Sequence, residues 1–132
     1  MPELLRLTVH GAPRTKKNSG RIVQTRGRPR LLPSKAWGEW MESAEIDFEF
    51  IGMDAVRGAC PIIPDHALNC RAVFYRDARR GDAVGFYQGL ADLLEKRGVV
   101  RNDAQIVSWD GSRLDVDREN PRVEVLLEDV PT

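Results

Sequence analysis

The sequence is short of the residues that most chemistries need in number. Its 132 residues include two cysteines and two histidines. Cys60 and Cys70 lie ten apart, a spacing that matches no common zinc motif, and two thiols cannot build a disulfide framework. A structural zinc and a disulfide scaffold are therefore excluded, and both thiols are expected to be reduced and inert. His10 and His66 are isolated, so neither is given a role, and no Ser-His or Cys-His arrangement is visible. A G-x-x-x-x-G-K loop is missing, which leaves NTP hydrolysis and a nucleotide cofactor without support. No apolar run approaches the ~20 residues of a membrane span. The opening MPELLRLTVHG has no basic leader followed by an apolar stretch, so the expected location is cytoplasmic. Repeats, linkers and low-complexity tracts are absent as well.

Net charge is also missing, since 20 basic residues balance 20 acidic ones. Its distribution is uneven. Residues 1–35 carry a net +8, residues 36–101 a net −3 and residues 102–132 a net −5. Charge segregated this way creates a local field that the average conceals. A basic arm on an acidic body is one way to hold a phosphate backbone beside metal-binding carboxylates. With 42% hydrophobic and 30% charged residues, the chain suits one soluble domain spanning 1–132, with a basic loop and hairpin over about 11–35.

Local patterning predicts an α+β fold: a small mixed sheet with two main helices. Leu4 to His10 alternates with period two and reads as a strand, ended by Gly11-Ala12-Pro13. Arg14 to Ser19 is a polar, basic loop. Arg21–Thr25 and Arg30–Leu32 flank Arg26-Gly27-Arg28-Pro29 as a hairpin with an arginine-rich tip. Ser34 is an N-cap for a first helix whose apolar positions are Trp37, Met41, Ala44 and Phe48. Residues 52–65 form a loop and Leu68–Tyr75 a strand. A second helix runs from about Asp82 to Arg97, with Gly98 as its C-terminal stop. Gln105–Leu114 and Arg122–Leu127 are expected as the last two strands.

Asp82 falls at a strand-to-helix junction just after Arg79-Arg80, and Asp103 follows the second helix. Carboxylates at element ends with basic neighbours suit a magnesium-dependent phosphodiesterase, because Mg²⁺ takes hard oxygen ligands from one or two carboxylates, waters and substrate phosphate. The helix is ~20 Å long, and six extended residues can return about that distance. Asp82 and Asp103 can thus meet within one chain or across a dimer. Asp92, ~15 Å along the axis from Asp82, is a weaker third ligand. Simpler roles fit equally: Asp82 as an ordinary N-cap, Asp103 as a turn residue, Arg14–Lys17 as a solvated loop.

Several segments together resemble the RusA-type Holliday junction resolvases, small magnesium-dependent endonucleases of bacterial prophages. Gly11-Ala12-Pro13-Arg14-Thr15-Lys16-Lys17-Asn18-Ser19 is similar to the family's stretch after its first strand, as is Leu32-Pro33-Ser34-Lys35-Ala36-Trp37 to its first helix start. The most specific block is Arg79–Val107. It resembles a pattern of two basic residues, x-D-x-D-N-x-x-K-x-x-x-D-x-L, a glycine turn and D-D-x-Q-I/V. The resemblance implies Asp82 and Asp103 as catalytic metal ligands, with Asp92 at the helix aspartate. It implies Mg²⁺ (or Mn²⁺) as cofactor, a homodimer, and branched DNA, a four-way junction or fork, as partner in recombination, repair or phage DNA processing. Arg14, Lys16, Lys17, Arg79, Arg80 and Arg101 are the expected phosphate contacts.

The chain departs from the pattern at Val84 for the second aspartate, Gly85 for the asparagine and Gln88 for the helix lysine. Lost ligands weaken a metal, and a lost cation removes transition-state stabilisation. Three outcomes fit. In the first the site is rebuilt, with Asp110 or Asp92 helping and Arg79, Arg80 or Arg101 replacing the lysine; Ser108–Arg113 is an unusual strand sequence that can supply such replacements. In the second a degenerate RusA-like protein binds branched DNA or a protein partner without cutting. In the third the partner is a protein alone.

Overall fold

A computed structural model describes residues 2–15, 21–25, 28–32, 35–51, 63 and 66–131. Among the described residues, eight strands and two α-helices follow one another as β1 (Glu3–His10), β2 (Arg21–Thr25), β3 (Arg28–Leu32), α1 (Lys35–Ser43), β4 (Ile46–Phe50), β5 (Leu68–Arg76), α2 (Ala83–Lys96), β6 (Ile106–Ser108), β7 (Arg113–Val116) and β8 (Arg122–Asp129). β2 and β3 pair as the separate hairpin that the sequence predicts. The other six form one mixed sheet in the order β4-β1-β8-β5-β6, with β7 also on β5. The fold is α+β, as the patterning predicts.

Period-two alternation decides which face of the sheet is covered. Leu5, Leu7 and Val9 of β1 lie in one buried cluster with Val123, Val125 and Leu127 of β8 and Leu68, Cys70, Ala72 and Phe74 of β5. Phe86, Leu90, Leu93 and Leu94 of α2, at helical spacing, and Trp40 and Met41 of α1 pack on that face. Burial of these side chains contributes roughly 1.5–3 kcal/mol each before chain entropy is counted. The helices are also tied to each other. Lys96 pairs with Glu42, and the Arg97 guanidinium donates to the Met41 carbonyl oxygen at 3.1 and 3.2 Å, satisfying an orphan acceptor at the end of α1.

Two expected elements come out differently. The first helix does not continue to Phe48. It stops at Ser43, and Ile46–Phe50 is a strand antiparallel to β1. Ile46, Phe48 and Phe50 alternate with Asp47 and Glu49, so the segment satisfies period two as well as period four; pairing with the open edge of β1 settles the choice. The strand expected over 105–114 is two short ones. Trp109–Ser112 turns between them, with Gly111 at φ +86, and both flanks run parallel to β5. Asn69, fully buried, holds this turn. Its Oδ1 accepts from Ser108 Oγ at 2.7 Å and the Asp110 amide at 2.8 Å; its Nδ2 donates to the Asp110 carbonyl and to Glu128. Trp109 stacks on Tyr87 of α2 with ring centroids 4.5 Å apart.

The connection that matters most for the site is β5-α2-β6. A helix must carry the chain back along β5 before a parallel strand can begin. One end of β5 therefore leads into α2, and the other end receives the chain that leaves it.

Candidate nucleic-acid interface at the start of the second helix

β5 ends at Arg76, and residues 77–82 turn the chain into α2. Gly81 has φ +84, and a Cβ there would stand 2.7 Å from the Phe86 ring and 3.1 Å from Thr15 Cγ2. Only glycine meets both conditions, which brings the turn down against residues 13–15. Asp82 is the N-cap: its Oδ1 accepts from the Gly85 amide at 3.3 Å, and its carbonyl accepts from Phe86 N at 3.2 Å. Gly85, where the resemblance expects asparagine, has a local explanation. A Cβ at this position would lie 2.6 Å from Asp82 Oδ1 and 3.1 Å from Thr15 Cβ.

Beside this helix start is a cleft of about 410 Å³ lined by Arg14, Thr15, Arg76, Asp77, Arg80 and Phe86, among others. A second hollow of about 420 Å³ continues past Arg76 to Arg79, Leu114 and Asp115. Four guanidinium groups thus line these two hollows, beside the positive end of the α2 dipole, an arrangement that favours anions. Arg76 is braced by backbone: its Nε donates to the Asp115 carbonyl at 3.1 Å and Nη1 to the Arg80 carbonyl at 3.3 Å. Arg14 faces Asp77 through contacts of 3.4–3.5 Å, and Arg80 approaches the same carboxylate at 3.8 Å. Thr15 is buried against the cleft wall.

Of the residues singled out from sequence, Arg14 and Arg80 line the cleft, Arg79 lines the hollow beside it, and Asp82 caps the adjacent helix. Asp103 does not join them. Its amide is tied to the end of α2, donating to Glu95 Oε1 at 3.0 Å. Glu95 is thirteen residues after Asp82, or ~20 Å along the helix axis. The sheet agrees: Ile106 pairs with Leu68, at the start of β5, whereas Asp82 follows its far end, ~26 Å away along the strand. The six residues after Arg97 do not return. Val99 and Val100 are buried in the core, Val100 bridges Ile63, and Gln105 donates to the carbonyls of Ile63 and His66. Within one chain, then, the expectation that the two aspartates meet is corrected by the parallel crossover.

Asp103 opens a single 3-10 turn, Asp103–Gln105, capped by Asn102, whose Oδ1 accepts from Ala104 N at 2.8 Å. Arg101 precedes that turn and so also lies at the far end of α2, as does the second half of the helix with the half-buried Asp92. Asp110 is exposed in the Trp109–Ser112 turn. Lys16 and Lys17 lie outside the described residues, as does Cys60. Cys70 is buried in the core, where desolvation pushes its thiol pKa far up, in keeping with an inert side chain. The histidines are less isolated than the sequence suggests: His10 pairs with Asp47 at 2.6 Å and His66 with Asp129 at 3.3 Å.

A divalent metal would want more than Asp82 offers. That carboxylate is exposed and already engaged with Gly85, and among the described residues no group of three or more His, Cys, Asp or Glu could hold an ion. One protomer's described residues do not make the carboxylate pair that the resemblance implies. Val84, at the place of the second aspartate, is 58% exposed in the first turn of α2. Arg76, Asp77 and Thr15 are the cleft residues that sequence reasoning passed over. The signal available was Asp77 itself, one acid set within R-D-A-R-R at a strand end.

Among the described residues no helix is long and apolar enough to cross a membrane. No protein-family model matches the chain, and no curated protein is detectably similar to it.

Proposed function

We propose that this chain is a RusA-like, structure-specific DNA endonuclease that grips the phosphate backbone of branched DNA in the arginine cleft at the start of α2. One observation carries the reading: Arg14, Arg76 and Arg80 line one cleft at the start of α2, and Arg76 and Arg79 line the hollow beside it. Guanidinium groups hold phosphate oxygens bidentately and supply the salt-dependent part of DNA affinity. Four arginines across two adjoining hollows are more than a structural ion pair requires. The chain as a whole is neutral, so nucleic acid would be held by a local group of arginines rather than by overall charge.

Cleavage is the second half of the proposal. Asp82 would supply one carboxylate beside the bound phosphate and Asp103 of a second copy would have to supply another; Mg²⁺ held there would polarise the phosphoryl oxygen and activate water. A homodimer is also what a symmetric four-way junction calls for. The competing reading, a protein that binds branched DNA without cutting, is favoured by Val84, an exposed apolar side chain where the resemblance expects a ligand.

The deciding experiment is cleavage of an end-labelled four-way junction with and without Mg²⁺ or Mn²⁺, beside Asp82→Asn, with binding read in metal-free lanes. Paired, metal-dependent nicks that disappear in Asp82→Asn while binding persists support the endonuclease. Binding without nicks selects the second reading. Absence of both refutes DNA as the partner.

A further inference from the structure

We infer that Asp77 is a built-in competitor that occupies, between Arg14 and Arg80, the seat a DNA phosphate takes on binding. The inference rests on the reading of the cleft as a phosphate-binding surface and adds a residue that tunes it. Asp77 lines the cleft, is about one-third exposed, and offers both carboxylate oxygens to Arg14 and one to Arg80. A carboxylate and a phosphate present the same kind of paired acceptor to a guanidinium fork, so either can fill this place.

The lengths of these contacts distinguish an exchangeable partner from a structural clamp. Charge-assisted N–H···O bonds run to ~2.7–2.9 Å when well made. The contacts of Asp77 with Arg14 are all 3.4–3.5 Å, and that with Arg80 is 3.8 Å. Elsewhere in the same chain Arg122 meets Asp117 and Glu124 at 2.9 Å each. Asp77 therefore neutralises two cleft arginines without locking them. Arg76, by contrast, is braced by two carbonyl oxygens and keeps its whole charge for the ligand. The cleft divides into a permanently available pair, Arg76 and Arg79, and a pair released only when a phosphate displaces Asp77.

The consequence is weaker binding to any isolated phosphate and a premium on DNA that supplies phosphates to both pairs together. Removing the competitor has a sign opposite to that of removing a positioning residue. Asp77→Asn keeps the shape and adds about one net positive charge, so junction binding should tighten ~3–10-fold near 0.1 M salt. The slope of log affinity against log salt should steepen by about one. Sulfate, the probe for the seat alone, should raise the Tm of Asp77→Asn more than that of the wild type, and Asp77→Glu should restore wild-type behaviour. In the unaltered protein, pyrophosphate should shift the Nε–H resonances of Arg14 and Arg80 but leave that of Arg122 in place, a readout that holds even if the variant fails to fold.

Weaker junction binding by folded Asp77→Asn would mean that Asp77 orients the arginines, and would overturn the inference. Equal binding, equal slope and equal sulfate response would overturn it too, while leaving the DNA reading intact. If neither protein binds the junction but sulfate still favours the variant, the competitor role stands and the DNA reading falls.

Discussion

Two glycines in helix interiors predict opposite outcomes for the same substitution. Gly89 of α2 faces residues 13–15: a Cβ there would lie 2.8 Å from the Arg14 carbonyl oxygen and 3.3 Å from Trp37 Nε1. The first is a backbone atom and cannot swing aside, so the segment carrying Arg14 and Thr15 must move off the helix. Overpacking of this kind costs about 1–3 kcal/mol, against about 1 kcal/mol gained from helix propensity. Gly89→Ala should therefore be destabilised by up to ~2 kcal/mol, and because it displaces Arg14 it should also weaken DNA binding. Gly38 of α1 has nothing within 4 Å of the corresponding position. Gly38→Ala collects the propensity gain alone and should be stabilised by up to ~1 kcal/mol, about 4 °C in Tm for a chain of this size. Urea denaturation followed by circular dichroism measures both. Equal stabilisation by the two substitutions would refute the close packing of α2 on residues 13–15, and with it the placement of Arg14 in the cleft.

Asn69→Leu should cost roughly 2–4 kcal/mol by urea melt, because the buried Glu128 carboxylate and the Trp109–Ser112 turn lose their partner together; a cost under 1 kcal/mol would show that the turn holds itself. Asp117 has its carboxyl pKa lowered, first by the hydrogen bond from Arg122 and then by the Asn120 amide, against a weaker opposing effect of burial. A depressed folded-state pKa stabilises above the unfolded value, ~3.9, and that stability is lost as pH falls through the folded value. Asp117→Asn should thus differ from wild type at neutral pH and converge with it in acid, once the pH has fallen through the depressed folded-state value; a gap independent of pH would refute the ionic contribution. Arg79→Ala should weaken junction binding and flatten the salt slope by about one. An unchanged slope would shift the DNA surface away from the cleft.

What was legible in the sequence was everything carried by local periodicity. β1, β5 and α2 follow from alternation or helical spacing read along a single segment, and Gly98, at φ +74, ends α2 where the pattern stops. Asp82 at a helix start is equally local, since a cap needs only its own next three residues. Ile46–Phe50 was ambiguous because its apolar residues satisfy two periods, and only the free edge of β1 chose between them.

The site was half legible for the same reason. Arg79, Arg80 and Asp82 are sequence neighbours and necessarily share one helix end. Bringing in Arg14, and revealing Asp77 as its partner, required β1 and β5 to lie side by side with β8 between them, a long-range fact with no local signature. Asp103 shows the converse. Chain length permits it to return to Asp82, but the parallel pairing of β6 with β5 spends the helix and the residues after it on reaching the opposite end of the sheet. The sequence by itself determined which residue types could serve a phosphate, and the tertiary structure decided which of them stand together.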